Sequence, residues 1–326
     1  MKTTTLIMIA LLALWTGPTG AQQPASHPLV TQAEYDRWQK ELSNWGRWGK
    51  DDEMGTLNLI TPAKRKQATA LVKEGVSVSL ARDASAAKEI DNPCPIEWSM
   101  TMDTPGTVMD RIGYPCIHGP GTTHLDSFAH IFFDGKMWNG YPRTSVTNEG
   151  GAAKNSILTM KNGIVTRGVL YDIPRLKGLP YLEPGTRIFP EDLEAWEKKT
   201  GVKVGPGDAF IVRWGKWARR AKVGPSAGDA AAGLDNTVLP WLKKRDVGLL
   251  VWETAGYTPA PPGDLPRTSV HNFVLEILGI HILDRSDLEA LSEAAAARNR
   301  WEFMLTVAPL PIPHGTGSPV NPLALF

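Results

Sequence analysis

Short apolar segments rich in β-branched residues recur along the chain and predict strands. Residues 76–80 alternate polar and apolar side chains, as a half-buried strand does. Residues 168–173, 209–213 and 247–252 are mostly apolar, and each begins or ends near glycine, aspartate or proline. The pattern therefore predicts four strands of a substantial sheet.

Helix-ending signals lie between these strands. Residues 61–72 begin with Thr-Pro and are followed by Gly75, which predicts a helix. Residues 190–199 carry acidic side chains in the first turn and basic ones in the last, and Gly201 follows them. Residues 236–244 predict a further helix despite an internal proline.

A last helix is predicted near the C-terminus, where Ser286 and Glu289 form the pattern of a capping box before the alanines at 294–297. Helices and strands are thus mixed along the chain, which predicts an α/β or α+β fold with one substantial sheet. No linker separates two domains. The small residues at 224–233 predict a mobile surface loop.

Residues 1–21 have the features of a secretory signal peptide. Lys2 precedes an apolar run over residues 6–15, and small residues follow at the cleavage position. The run is short for a transmembrane span, and an uncleaved N-terminal anchor is the alternative. We expect a secreted or periplasmic protein, not membrane-bound after cleavage, with an N-terminal lead over 22–44, including His27, and one domain over 45–326.

The composition is that of a globular protein and limits the partners. The 326 residues are 42% hydrophobic and 21% charged. The 35 basic and 34 acidic side chains give a net charge of +1, which does not favour nucleic acid or an anionic membrane as a partner. Cys94 and Cys116 are too few for a disulfide scaffold or a four-cysteine zinc site. They form one disulfide or remain two buried thiols, and the sequence leaves both open.

Three of the seven histidines, His118, His124 and His130, fall within thirteen residues. Alternate residues of an extended chain share a face, so His124 and Asp126 can point at one centre. His130 returns to that centre if the chain turns or begins a helix after Ser127. Imidazole and carboxylate together suit Zn²⁺ or Mn²⁺, and the lack of nearby thiolates favours a catalytic site over a structural one. A hydrogen-bonded His–Asp pair without metal is the alternative.

The segment 123–130 resembles the T-H-x-D-x-x-x-H core of the cyclase family, which includes bacterial kynurenine formamidase (an arylformamidase) and isatin hydrolase. The resemblance covers about residues 45–326. It implies a metal-dependent amidohydrolase with a mixed-sheet α/β fold of the swivelling β/β/α type in a single domain. Other similar stretches lie at 48–58, 135–140, 167–172 and 315–322.

The resemblance also implies a role for particular residues. His124 and Asp126 would be metal ligands, and His130 would act as a ligand or as the proton-transfer residue. The family's downstream histidine and carboxylate match His271 and Asp284. These residues would hold one or two divalent ions, Zn²⁺ or Mn²⁺, which activate water and polarise the carbonyl it attacks.

Three positions depart from the family pattern. Pro120 stands where the family usually has a histidine, and His118 can replace that ligand if the Gly-Pro-Gly loop bulges. Thr122 stands in place of glycine, and Asp284 in place of the more common glutamate. These departures leave open whether the site holds one ion or two.

Three functions are compatible with these residues. The first is hydrolysis of an aryl formamide or cyclic amide, and the second is hydrolysis of a lactone or other cyclic ester at the same site. The third is a non-catalytic periplasmic protein that binds metal or a small ligand. The compact His/Asp cluster favours catalysis, because storage proteins can use looser His-rich tracts. The expected partner is a small aromatic or cyclic amide, and a homo-oligomer is compatible with the sequence.

Other residues have two interpretations. Glu253 follows a predicted strand, where functional residues often lie, although a surface salt bridge is the favoured interpretation. His281 lies in an apolar run and predicts a core histidine, whereas His314 lines the site or caps a loop. The tryptophans available for an aromatic wall, most of them expected in the core or at the rim, are Trp98, Trp138, Trp214 and Trp252.

Overall fold

A nine-stranded mixed sheet dominates the computed structural model, which describes residues 27–104 and 106–326. The predicted signal peptide, residues 1–21, lies outside the described residues. The strands are β1 (Ser77–Ser79), β2 (Glu97–Thr104), β3 (Thr107–Gly113), β4 (His124–Asp126), β5 (Val146–Thr147), β6 (Gly151–Ala152), β7 (Ile164–Asp172), β8 (Arg187–Ile188), β9 (Ala209–Arg213), β10 (Gly233–Leu234), β11 (Leu249–Val251), β12 (His281–Asp284), β13 (Glu302–Val307), β14 (Gly317–Pro319) and β15 (Leu323–Leu325).

The α-helices pack around this sheet, and short 3₁₀ turns connect several elements. A π-helix, Val274–Leu278, continues directly from the seventh α-helix. The α-helices are α1 (Gln32–Glu41), α2 (Pro62–Thr69), α3 (Ile173–Lys177), α4 (Pro190–Thr200), α5 (Lys216–Val223), α6 (Val238–Arg245), α7 (Ser269–Phe273) and α8 (Glu289–Arg298).

The centre of the sheet is parallel and its edges are antiparallel. Strands β7, β9, β11 and β12 pair in parallel. The order across the sheet is β1-β15-β13-β7-β9-β11-β12-β4-β14. Every residue of β9 and β11 is buried, so both faces of the sheet are covered, as is usual for parallel strands. The structure confirms the expected mixed α/β fold with one substantial sheet.

The predicted strands all exist, but three of the four differ in length from the prediction. Strand β9 coincides with the predicted segment 209–213, and β1 occupies the middle of 76–80. Strand β7 begins at Ile164, before the predicted start, because it pairs with β13 along its whole first half. Strand β11 is shorter than 247–252, since its pairing with β9 and β12 covers three residues. Strand length thus depends on partners that lie far away in sequence.

The helix predictions are confirmed for α4 and α6 and less exact elsewhere. Gly201 ends α4 in the left-handed conformation (φ 73°), as its position predicts. Helix α2 ends at Thr69, before the predicted end. The prediction of a capping box at Ser286 is wrong. The backbone N–H of Ser286 donates to the Trp252 carbonyl, and the Glu289 N–H is accepted by the Asp287 carboxylate at 3.1 Å.

The described part of the predicted N-terminal lead, residues 27–44, contains a helix that contacts the rest of the chain. Helix α1 lies within this lead, and Thr31 caps it by accepting the N–H of Glu34. Tyr35 is buried and donates its hydroxyl to the Ser269 carbonyl at 2.8 Å. His27 stacks on Phe189 with ring centroids 3.8 Å apart.

The end of the segment 224–233 is not the free surface loop that its composition predicts. Its last residues, Ala231 to Gly233, are buried, and β10 pairs in parallel with β8. A Cβ at Gly233 would lie 2.6 Å from the backbone nitrogen of Tyr257. Small residues here therefore permit close packing, which composition alone does not separate from flexibility.

Strands β2 and β3 form a hairpin outside the main sheet, and a disulfide joins the two ends of this hairpin segment. The disulfide links Cys94 to Cys116, which decides between the two states that the sequence left open. Trp98 lies on the hairpin and is 53% exposed, so it belongs to neither the core nor the histidine cluster. Within the described ranges, no helix is both long and apolar enough to cross a membrane.

Candidate metal centre

Strand β4 places two of the predicted ligands on one face of the sheet. Its three residues alternate, so His124 and Asp126 point one way and Leu125 points the other. The strand lies antiparallel between β12 and β14, with Asp284 of β12 directly opposite His124. Directly opposite residues share a face, so this register brings three predicted ligands together.

Asp126 is the centre of the cluster and is fully buried. Its Oδ1 lies 2.7 Å from Nδ1 of His118 and 3.4 Å from Nε2 of His124, and its Oδ2 lies 3.2 Å from Nε2 of His271. Burial raises the pKa of this carboxyl, but the imidazoles of His124, His118 and His271 outweigh burial and hold the pKa well below its usual value. Asp126 therefore stays ionised.

His118 lies in a turn before β4 and reaches Asp126 despite the departure at Pro120. Its Nε2 lies 3.0 Å from Oγ1 of Thr316, so both ring nitrogens have polar partners. Gly317 leaves space for the ring, because a Cβ there would lie 2.6 Å from Cε1 of His118. The structure thus brings His118 into the cluster, as its expected replacement of the missing histidine requires.

His130 completes the cluster from a single 3₁₀ turn, Phe128–His130. Its ring stacks on His118 with centroids 3.6 Å apart and meets His271 edge-on at 5.7 Å. Burial lowers the pKa of His130 to about 3, and the neighbouring imidazoles act in the same direction while Asp126 opposes them. The ring is therefore neutral near pH 7 and has one nitrogen that can accept a proton.

His271 and Asp284 come from the C-terminal part of the chain. His271 lies on α7, and its Nδ1 is 3.2 Å from Oδ1 of Asn272. Burial alone would lower the pKa of His271, but its hydrogen bond to Asp126 raises it. Asp284 ends β12, and its Oδ1 accepts the backbone N–H of Arg285 at 2.8 Å.

Two overlapping sets of donor atoms could each hold a metal ion. His118, Asp126 and His130 form one set, and His124, Asp126 and Asp284 form the other. Within each set the donor atoms lie within 4.8 Å of one another, and Asp126 belongs to both. Imidazole nitrogens and carboxylate oxygens without thiolates suit Zn²⁺ or Mn²⁺. The donor chemistry therefore fits one or two divalent ions.

A buried group of charges, which the sequence did not indicate, lies beside Asp284. The Asp229 carboxylate contacts Lys216, accepts from Nη1 of Arg285 at 2.7 Å and lies 3.2 Å from Nη2 of Arg267. Burial raises the pKa of Asp229, but Arg285 and Lys216 hold it well below its usual range. Nε of Arg285 lies 3.8 Å from Oδ2 of Asp284, so this positive charge adjoins the carboxylates of the candidate centre.

Glu253 is buried and does not form the surface salt bridge favoured from the sequence. Its carboxylate accepts the backbone N–H groups of Trp214 and Gly215 at 2.6 and 2.8 Å. This carboxylate therefore orders the turn after β9. Trp138, Trp214 and Trp252 are fully buried, as expected for most of the tryptophans.

His281 and His314 lie outside the two donor sets and form no hydrogen bond with the Asp126 carboxylate. His281 is the predicted core histidine: it stacks on Phe128 with centroids 3.7 Å apart, and its Nδ1 lies 3.0 Å from the backbone oxygen of Asp126. His314 is exposed, and its Nδ1 lies 3.2 Å from the Ala152 carbonyl. His314 therefore contacts a loop, the second of its two predicted roles.

The protein is a mixed α/β domain in which histidines and carboxylates lie around one short strand. Comparison with known families identifies the class to which this fold and site belong. Residues 77–258, which are more than half of the chain, match the family described as "Putative cyclase". The chain belongs to this family. The comparison with curated proteins found no match.

Solved structures show the same fold. A crystal structure described as a novel cyclase is 29% identical, with a TM-score of 0.76 over 88% of this chain and 99% of that one. Isatin hydrolase A from Ralstonia solanacearum is 20% identical, with a TM-score of 0.52 over 76% and 91% of the two chains. Isatin hydrolase A from Labrenzia aggregata, bound to benzyl benzoate, is 19% identical, with a TM-score of 0.53 over 79% and 94%.

Proposed function

We propose that this protein is a metal-dependent hydrolase that cleaves the C–N bond of an aryl formamide or a cyclic amide. The observation that carries the proposal is the shared carboxylate: Asp126 belongs to both sets of donor atoms and contacts three imidazoles. The similarity in fold to isatin hydrolases, whose name denotes action on a cyclic amide, supports the choice of substrate class.

In this proposal, five residues hold one or two divalent ions, Zn²⁺ or Mn²⁺. A bound divalent ion lowers the pKa of water and polarises the carbonyl group that water attacks. The chain's own part is to hold the donors in place. Asp126 supplies negative charge, and the buried face of β4 excludes bulk solvent. The five residues are His118, His124, Asp126, His271 and Asp284.

His130 is the proton-transfer residue in this proposal. Its neutral ring has a nitrogen that can take a proton from water as the carbonyl carbon gains a hydroxyl group. The same nitrogen can return that proton to the leaving nitrogen as the C–N bond breaks. The stacking on His118 orients the ring.

Metal analysis combined with a substrate panel tests the proposal. We expect the purified protein to contain one or two divalent ions per chain and to hydrolyse N-formylaniline or isatin faster than an aromatic lactone. Asp126→Asn should lose metal and activity, whereas the control Asp36→Asn, on the exposed surface of α1, should keep both. Hydrolysis of the lactone alone would favour a cyclic-ester hydrolase. Metal binding without any hydrolysis would favour a binding protein.

We also propose that the chain is exported by residues 1–21 and acts outside the cytoplasm. The disulfide between Cys94 and Cys116 supports this, because disulfides persist in oxidising compartments. N-terminal sequencing of the protein from a periplasmic extract tests the proposal. A mature chain beginning near Gln22 is the expected result, and an intact N-terminus in the cytoplasm would contradict it.

A further inference from the structure

A cavity outside the candidate metal centre lies between α1 and the helical segment that carries His271. Its volume is about 240 Å³, close to the lower end for small-molecule sites. Tyr35 and Gln39 line it from α1, Phe273 and Glu276 from the facing helix, and Phe133 from the loop after the histidine cluster. None of the six predicted site residues lines this cavity.

Glu276 is the unusual residue of this cavity. It is only 3% exposed, and its Oε1 is buried without a hydrogen-bond partner. Among the described residues, no lysine, arginine or histidine forms a salt bridge with it. A buried carboxyl oxygen without a partner is costly, and its position in a cavity wall points to a ligand that supplies the missing partner.

The charges around Glu276 are also unfavourable for a carboxylate. The pKa of Glu276 is raised to about 8, mainly by burial and to a smaller extent by the Asp134 carboxylate, while a hydrogen bond from the backbone of Phe133 acts in the opposite direction. The titratable neighbour from α1 is Tyr35, whose own pKa is raised by burial and by Glu276. The residues that line the cavity include this carboxyl group and no basic side chain. A bound cation would therefore supply the opposite charge.

The walls of the cavity are well anchored. Glu276 lies in the π-helix, a local irregularity that is frequent at functional sites. The backbone oxygen of Glu276 accepts the indole N–H of Trp45 at 2.6 Å, and the Tyr35 hydroxyl donates to the Ser269 carbonyl at 2.8 Å. These two bonds join the N-terminal segment to both ends of the helical wall.

We propose that this cavity binds a small organic ammonium ion that carries a single ring. The ammonium group pairs with the Glu276 carboxylate, and the ring lies among Phe133, Phe273 and Tyr35, which can also contact a cation through their ring faces. The site goes beyond the proposed hydrolysis. Asn272 separates the two sites, since it lines the cavity and contacts Nδ1 of His271.

Calorimetric titration of the full protein with benzylammonium tests this proposal. We expect binding of benzylammonium and at least tenfold weaker binding of benzyl alcohol, which has the same ring without the charge. Glu276→Gln keeps the shape of the side chain and should weaken benzylammonium binding by about tenfold or more. Glu293→Gln, on the exposed face of α8, is the matched control and should bind as the wild type does.

Two further binding experiments can contradict the proposal. Phe133→Ala removes an aromatic wall at a side chain that is already 45% exposed, so folding should be retained while binding weakens. Protein treated with chelator should still bind benzylammonium, because the cavity shares no donor with the candidate metal centre. Equal binding of the alcohol, unchanged binding in Glu276→Gln, or binding that disappears with the metal would overturn the proposal.

Discussion

The imidazole rings of His118 and His130 lie face to face, with centroids 3.6 Å apart and only 6° between the ring planes. Both belong to the same donor set around Asp126. The stack gives the two rings different surroundings, because His118 contacts Asp126 and Thr316 while the pKa of His130 is lowered by burial. This difference suits one ring to metal binding and the other to proton transfer.

His130→Ala should keep its metal and lose most of its turnover, by at least about 100-fold, because general acid–base catalysis contributes on that scale. Metal content and turnover measured on the same preparation check this expectation. His314→Ala, at an exposed histidine, is the control and should change neither quantity. Loss of metal from His130→Ala would make His130 a ligand instead.

Gly317→Ala should weaken metal binding without unfolding the protein. The added Cβ would lie 2.6 Å from Cε1 of His118, so the ring must move away from Asp126. Titration of metal into chelator-treated protein measures the effect. Gly205→Ala is a matched control, since its nearest contact would be an ordinary 3.7 Å from Asp208. Unchanged affinity in Gly317→Ala would mean that His118 is not a ligand.

Asp229→Asn should lower the free energy of unfolding by about 3–5 kcal/mol, because it leaves Lys216, Arg285 and Arg267 without their shared buried carboxylate. Asp246→Asn breaks the more exposed ion pair with Arg47 and should cost less than about 1 kcal/mol. Urea denaturation of both variants measures the two values. Similar small losses in both would show that the buried group is not a stabilising network.

Glu276→Gln should stabilise the protein at pH 8 and leave it nearly unchanged near pH 4.5. The folded pKa of Glu276 is raised to about 8 from an ordinary value of 4.5, so the folded state binds more protons between these values. Stability of the wild type therefore falls as pH rises through this window, and the glutamine variant avoids that loss, which is on the order of a few kcal/mol.

Chemical denaturation at pH 5 and pH 8 checks this dependence. Tyr35 on α1 and Asp134 in the adjoining loop are the other titratable groups around Glu276, and both remain in the variant. Glu293→Gln should show the same pH profile as the wild type. An equal stability difference between Glu276→Gln and the wild type at both pH values would contradict the expectation.

The sequence predicted the parts of the site that are close together in the chain. The spacing of His124, Asp126 and His130 is local, and the extended conformation of β4 follows the predicted alternation. The placement of His271 and Asp284 came from the family resemblance, and the structure brings both to Asp126 and His124.

The partners that the sequence did not indicate are distant in the chain. Thr316 contacts His118 across 198 residues, and Lys216, Asp229 and Arg285 meet only in three dimensions. The buried role of Glu253 depends on a turn that follows a different strand. Local sequence patterns indicate which face of a helix or strand is apolar, but they do not indicate which distant groups are buried together.

Strand β4 is held on one side by β12 and on the other by β14, and both partners lie far from it along the chain. A shift of one residue in either pairing would turn His124 and Asp126 to the opposite face. The convergence of the donors therefore depends on the register of β4 with both of its neighbours.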